Sequence, residues 1–368
     1  MKKTKLPSLL KQHFGFHMSR IHCLNSLILG MIQNRNVNLS LIATTFSSSQ
    51  DSAYKRLQRF MKQISFTQDR LAYLIVAIIG LEKRGRWRLV LDRTNWKFGT
   101  KHINILYLGV CRDRLAIPLF FTFLRDKKSG NSNQDDRIEL MQKFVKTFGK
   151  KCMGVLLGDR EFIGHRWLKY LIEHQIAFCI RLKDNWQKVV LENGQVMEIK
   201  KAFNGLKNGQ TRKLGLCQLG EGKRSVSCYI TGMKSKKGEW IIVAHSPGLE
   251  DPCAIYRHRW QIETMFRAMK TGGFNIEDTH ITAPQRLESL FSVVAIAYAI
   301  CYKAGEFAVT KDPPRPKKHG YWPKSVFRYG LDAITHSIAI IPEYPKLFRQ
   351  LFTQIFKPIR LTKQSFVL

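Results

Sequence analysis

Apolar positions in the first 80 residues recur at helical spacing. Leu39–Phe46 is a short apolar helix candidate, followed by the Ser-rich break Ser47–Ser52. Ala53–Lys62 then sets Lys55, Arg56, Arg59 and Lys62 beside Tyr54, Leu57, Phe60 and Met61. A short helix, a polar turn and a basic amphipathic helix read as a helix-turn-helix. The alternative is an ordinary helical hairpin with a solvated basic face.

From Gly85 the pattern changes to strands. Trp87–Leu91 is a short apolar run ending at Asp92, and His102–Cys111 and Leu115–Leu124 form a hairpin pattern around a polar turn. Ser132–Phe148 has helical spacing, Met153–Leu157 is a buried strand ending at Gly158-Asp159, Gly164–His174 is a helix and Ala177–Leu182 a further strand. This order predicts an α/β fold, a mixed sheet with helices packed against it. Asp184–His245 carries many Gly, Asn and Lys residues between short alternating runs, with Asn193-Gly194 as a hairpin signal. Helical patterning returns over Glu250–Lys270 and Pro284–Val309, followed by the basic, proline-rich Lys311–His319. The tail, Tyr344–Arg360, is an amphipathic helix candidate. The expected parts are therefore a basic helical region at 1–80, DNA-binding on the helix-turn-helix reading, the first part of an α/β core at 81–183 and a β-rich insertion at 184–246. The last part of the core follows at 247–310, and a C-terminal helical region, a candidate dimer surface, at 311–368.

Composition adds a partner to this picture. The 368 residues include 61 Lys+Arg against 27 Asp+Glu, a formal charge of +34. Such a charge calls for a polyanion, and nucleic acid is the usual one, with a ribosome-like or anionic-membrane binder as the blander readings. With 44% hydrophobic residues the chain can bury a real core. The eight cysteines contain no CxxC pair and no zinc spacing, so they read as reduced residues of a cytosolic protein. The N-terminus has no continuous apolar run of a signal peptide, and the longest apolar runs, Leu71–Gly80 and Leu290–Cys301, look too short to span a bilayer.

The chemistry concentrates in three places. Asp92 and Asp159 each follow a buried strand, which fixes a carboxylate while leaving it open to a metal ion. Strand ends often carry Asp as a cap, so either alone is weak evidence. The third place is the helix expected over Glu250–Lys270. At about 100° per residue, Tyr256, Arg259, Trp260, Glu263, Arg267 and Lys270 share one sector, beside an apolar stripe of Ile255, Ile262, Phe266 and Met269. Solvated i,i+4 pairs such as Arg259–Glu263 would account for the charges but not for the two aromatics among them. Three carboxylates in one pocket can hold two hard divalent ions, which activate a water or 3′-hydroxyl and stabilise the leaving oxygen at phosphorus.

These residues carry a resemblance. Tyr256-x2-Arg259-x3-Glu263-x6-Lys270 fits the Y-R-E-K signature of DDE transposases of insertion-sequence family four, which includes the transposases of the composite tetracycline and kanamycin resistance transposons. LDRTNWKFG around Asp92 and GDREFIG around Asp159 resemble the family's first two acidic motifs, and the resemblance spans roughly Arg86–Glu288. It implies an RNase H-like catalytic core interrupted by a β-rich insertion before the catalytic Glu. It also implies catalysis and metal binding by Asp92, Asp159 and Glu263 with two Mg2+ ions, for which Mn2+ can substitute.

DNA contacts would fall to Tyr256, Arg259 and Lys270, with Arg267 beside them, and Arg181 is similar in placement to a phosphate-binding Arg of the family. Many relatives form a hairpin at the element's end, with a flipped base stacked on tryptophan. Trp260 and Trp240 are similar in position to such residues, and Trp96 and Trp186 come after them; a β-core aromatic is the alternative reading of Trp240. The resemblance therefore implies a cut-and-paste enzyme of the bacterial cytoplasm and nucleoid. It would bind terminal inverted repeats of double-stranded DNA and act as a homodimer in a synaptic complex. A catalytically decayed end-binding repressor and a structure-specific nuclease on the same fold are the competing classes.

Overall fold

In a computed structural model, residues 5–82, 85–112, 114–124, 132–183, 188–220, 222–318, 320–340, 350 and 352–353 are described. The chain contacts divide into two units: Met1–Glu82 with Lys97–Lys101 and Phe266–Leu368, and Lys83–Trp96 with His102–Met265.

The first unit begins with helices α1 (Lys5–Phe14), α2 (Met18–Asn34), α3 (Leu39–Ala43), α4 (Gln50–Gln63) and α5 (Gln68–Ile79). α4 folds as its pattern dictates. Ala53, Leu57, Phe60 and Met61 form a buried spine at spacings of helical period, while Tyr54, Lys55, Arg56, Arg59 and Lys62 are exposed. α3, the polar turn and α4 thus form the expected short helix, break and basic helix.

The second unit holds β1 (Trp87–Phe98) as far as Trp96, β2 (Lys101–Arg112) from His102 on and β3 (Leu115–Phe123), followed by α6 (Gln134–Phe148) and β4 (Met153–Gly158). Next come α7 (His165–Glu173), β5 (Phe178–Arg181), β6 (Lys188–Val190), β7 (Val196–Glu198), β8 (Thr211–Leu219), β9 (Val226–Lys234) and β10 (Trp240–His245). α6 starts in a capping box, Asn133 accepting from the Asp136 N–H and Asp136 accepting from the Asn133 N–H. The strands make one mixed ten-stranded sheet in the order β3-β2-β1-β4-β5-β10-β9-β8-β6-β7. β1, β4 and β5 run parallel, while β10 returns antiparallel to β5. The β-rich stretch after β5 therefore extends the same sheet rather than building a second one.

The expected helix over Glu250–Lys270 is two helices, α8 (Pro252–Arg257) and α9 (Trp260–Met269). Between them the hydrogen bonds tighten to i→i−3: Arg259 N–H to Tyr256 O, Gln261 N–H to His258 O and Ile262 N–H to Arg259 O. Each residue in such a turn advances about 20° more than in an α-helix, which breaks the phase of the single stripe. The chain passes into the first unit within α9.

α10 (Pro284–Lys311) and α11 (Val326–Ala339) complete the described helices apart from residues near 352. α10 is long and apolar enough to cross a membrane, contrary to the expectation from its shorter apolar run, yet its apolar stretch is almost wholly buried inside the protein. Gly305 and Gly330 let α10 and α11 touch backbone to backbone, since a Cβ at either would meet the carbonyl of Val326 or Cys301. Most of the tail expected as an amphipathic helix, Tyr344–Arg360, lies outside the described residues, as does Trp186.

Candidate active site

Strand register builds the site. Leu91 of β1 is opposite Gly158 of β4, so the next residues, Asp92 and Asp159, are side by side on strands spaced about 4.8 Å apart. Gly158 is in turn opposite Ile180 of β5, and Arg181 follows it. Asp92, Asp159 and Arg181 thus form a row across three parallel strands. Asp159 leaves its strand as expected and caps a 3-10 turn at Arg160–Phe162, accepting the Arg160 N–H at 2.7 Å. Asp92 does not end its strand. β1 runs on to Phe98, and the Asp92 side chain is held inside it, 14% exposed.

Glu263 comes to this row through Arg259. The Arg259 guanidinium, only 9% exposed, donates from Nη1 to Asp92 Oδ2 at 3.0 Å and from Nη2 to Glu263 Oε1. Tyr256 is buried, and its hydroxyl donates to Asp159 Oδ1 at 3.3 Å. The tightened turn at His258–Arg259 separates these side chains from the rest of the expected stripe. Tyr256 and Arg259 point inward, whereas Trp260 is 60% exposed and Arg267 is exposed. The six residues therefore do not present one face. Lys270 pairs with Glu277 at 2.8 Å within the first unit.

Burial sets the electrostatics. It pushes the Asp92 carboxyl up to about 7, with Glu161 and Asp159 adding to the rise and Arg259 and the Arg93 N–H opposing it. Burial alone would lower Arg259, but Tyr256, Asp92, Asp159 and the Glu263 hydrogen bond raise it, so it stays a cation. Burial raises the Tyr256 phenol, which keeps its proton and remains a donor.

Two participants were missed among the expected site residues. Arg93 donates to both Glu161 carboxylate oxygens at 3.2 and 3.3 Å and to Asn104 Oδ1 at 3.2 Å. This pair ties the residue after Asp92 to the second residue after Asp159. The signal lay inside LDRTNWKFG and GDREFIG, where each acid is followed closely by an opposite charge.

Arg181 donates to the backbone carbonyl of Trp240 at 2.9 Å, and its charge reaches Tyr256. Trp240 opens β10, and the Lys234 ammonium lies 5.5 Å from its ring. It is a half-buried strand residue, whereas Trp260 is the tryptophan that α9 exposes.

Among the described residues, no three His, Cys, Asp or Glu side chains stand close enough to hold one ion in this arrangement. The donor chemistry nevertheless suits a hard divalent cation. Asp92 and Glu263 already share one cation, the Arg259 guanidinium, and Asp159 lies close enough to raise the Asp92 carboxyl.

Residues 128–300, just under half of the chain, match the profile of a family described as Transposase DDE domain. The match includes Asp159, Tyr256, Arg259 and Glu263 and begins after Asp92. No curated protein sequence matches the chain. Among solved structures, the chain is similar to a piggyBac transposase in a synaptic complex with hairpin DNA, with 11% identity and a TM-score of 0.47. That alignment covers 95% of this chain and 78% of the other.

Proposed function

We propose that the protein is a DNA transposase of the DDE type, with the Y-R-E-K signature of insertion-sequence family four and an RNase H-like core. The observation that carries this reading is the register placing Asp92 beside Asp159, joined to Glu263 through Arg259, with two of the three acids inside the transposase match.

Asp92, Asp159 and Glu263 would hold divalent metal, Mg2+ by default. Such ions supply the activation of a water or 3′-hydroxyl and the stabilisation of the leaving oxygen. The chain's own residues do the positioning. Tyr256 orients the Asp159 carboxylate by hydrogen bonding, and Arg93 matches the charge of Glu161 beside Asp92. Arg181 and Arg259 supply the cations for phosphates beside the scissile bond.

Recognition of double-stranded terminal repeats falls to the 1–80 region, where α4 carries an exposed basic face of the kind that enters a major groove. Trp260, exposed beside the site, suits a flipped base in a hairpin intermediate better than Trp240 does. Action as a homodimer on the nucleoid of a bacterial cytoplasm belongs to the same reading.

One observation favours a second class. Arg259 already bridges two of the acids, an arrangement that an end-binding repressor with no need of metal would retain. A cleavage and joining assay on DNA carrying the element's terminal repeats, with Mg2+, separates the readings. The transposase nicks at the repeat tip and forms joined product, and Glu263→Gln loses both. Binding without cleavage identifies the repressor, and cutting without joining a nuclease.

A further inference from the structure

We propose that Arg259 is the resident counter-ion of the acidic pocket, occupying the place of a divalent cation and exchanging with it. This rests on the transposase reading and goes beyond it, because it makes one arginine the regulator of metal loading.

The first argument is a charge count. Asp92, Asp159 and Glu263 bring three carboxylates to a pocket where Arg259 is the cation that bridges two of them. The neighbouring Glu161 is matched by Arg93. Buried carboxylates without a cation are costly, so the pocket needs Arg259 whenever no metal is present. When metal enters, the same two carboxylates are asked to serve both cations.

The second argument is that Arg259 has somewhere to go. Its guanidinium lies 5.9 Å from the Tyr256 ring and 5.9 Å from the Trp260 ring, one buried and the other exposed. A cation is stabilised over either face. Glu263 is 33% exposed, so the carboxylate that Arg259 holds reaches solvent. Movement toward Trp260 would free both carboxylates and bring the guanidinium to the surface, where a DNA phosphate can take it. By linkage, DNA then tightens metal and metal tightens DNA, and both effects run through this one side chain.

The test is Mn2+ binding to the full chain without DNA, followed by the electron paramagnetic resonance signal of free Mn2+. Arg259→Gln should bind Mn2+ about tenfold more tightly than wild type, a size usual for coupled sites. Adding phosphodiester duplex should tighten Mn2+ on wild type and change little on Arg259→Gln. Arg259→Lys keeps the charge without the two-pronged bridge, so it should fall between them.

Equal or weaker Mn2+ binding by Arg259→Gln overturns the exchange while leaving the transposase reading standing. Failure of wild type and both variants to take up Mn2+ at millimolar concentration overturns both. If Arg259→Gln does not fold, the wild type still decides. Mn2+ should change the fluorescence contributed by Trp260, measured as the difference from Trp260→Phe, and no difference would contradict the exchange.

Discussion

Around Asp92 the charged side chains meet opposite charges: Arg259 bridges Asp92 and Glu263, and Arg93 holds Glu161. On α4 the arrangement is reversed. Lys55, Arg59 and Lys62 are exposed and have no acidic partner among the described residues. The difference follows from burial. Charges in the pocket are poorly screened and must be compensated within the fold. Charges on α4 are solvated, cost the fold little and stay available to an external polyanion. The first arrangement suits chemistry at a fixed point, and the second suits gripping a polyanion that comes and goes.

The largest expected effect comes from breaking the pocket. Asp92→Asn and Asp159→Asn should each reduce strand cleavage by about a thousandfold or more, since a bound metal supplies several kcal/mol of transition-state stabilisation. Equilibrium binding to terminal-repeat DNA, read by gel shift, should change far less. If cleavage and binding fell together, the separation of roles between pocket and α4 would fail.

The next effect is on the other side of the comparison. Replacing Lys55, Arg59 and Lys62 together by alanine should weaken duplex binding roughly a hundredfold at physiological salt and reduce the salt slope by about 3. Because these side chains are exposed, the melting temperature should hardly move. An unchanged salt slope would remove α4 from the DNA interface.

A smaller effect tests where the two kinds of region meet in function. Trp260→Ala should leave stability within about 0.5 kcal/mol, as expected for an exposed residue. It should spare the first nick but cut hairpin yield about fivefold to a hundredfold, the usual value of a stacked base. Trp240→Ala should affect folding more than hairpin yield, and the opposite result would exchange their roles.

The smallest effect concerns a charged cluster of the first unit. Burial alone would raise the Asp332 carboxyl, but the Lys324 hydrogen bond and the charges of Arg328, Lys324 and Arg35 bring it below its usual value. A depressed carboxylate contributes stability that is complete above the unfolded pKa, about 3.9, and is lost as pH falls through the folded value. Asp332→Asn should therefore lower the melting temperature slightly at pH 7 and make no difference in strong acid. A difference that grew toward low pH would reverse the sign.

These regions differ also in how far the sequence exposed them. The spine of α4 and the strands leading to Asp92 and Asp159 follow from local periodicity, which burial on one face enforces. The continuation of β1 to Phe98 was hidden, because RTNWKF looks polar and runs past the end of β4, with β2 as its neighbour in the sheet. The break between α8 and α9 left no Gly or Pro in YRHRWQ, so helical spacing ran straight through it. What marks the break is tertiary: Arg259 is turned inward onto carboxylates from β1 and α9. The Arg93–Glu161 pair was equally out of reach, since it depends on β1 and β4 being neighbours.

The most direct test of the account is to locate the metal. Crystals of the protein bound to terminal-repeat DNA, soaked in Mn2+, would show it by anomalous scattering. The account predicts peaks bounded by Asp92, Asp159 and Glu263, with Arg259 withdrawn from both of its carboxylates and set against a DNA phosphate. Peaks elsewhere, with Arg259 still bridging Asp92 and Glu263 in the DNA complex, would contradict it.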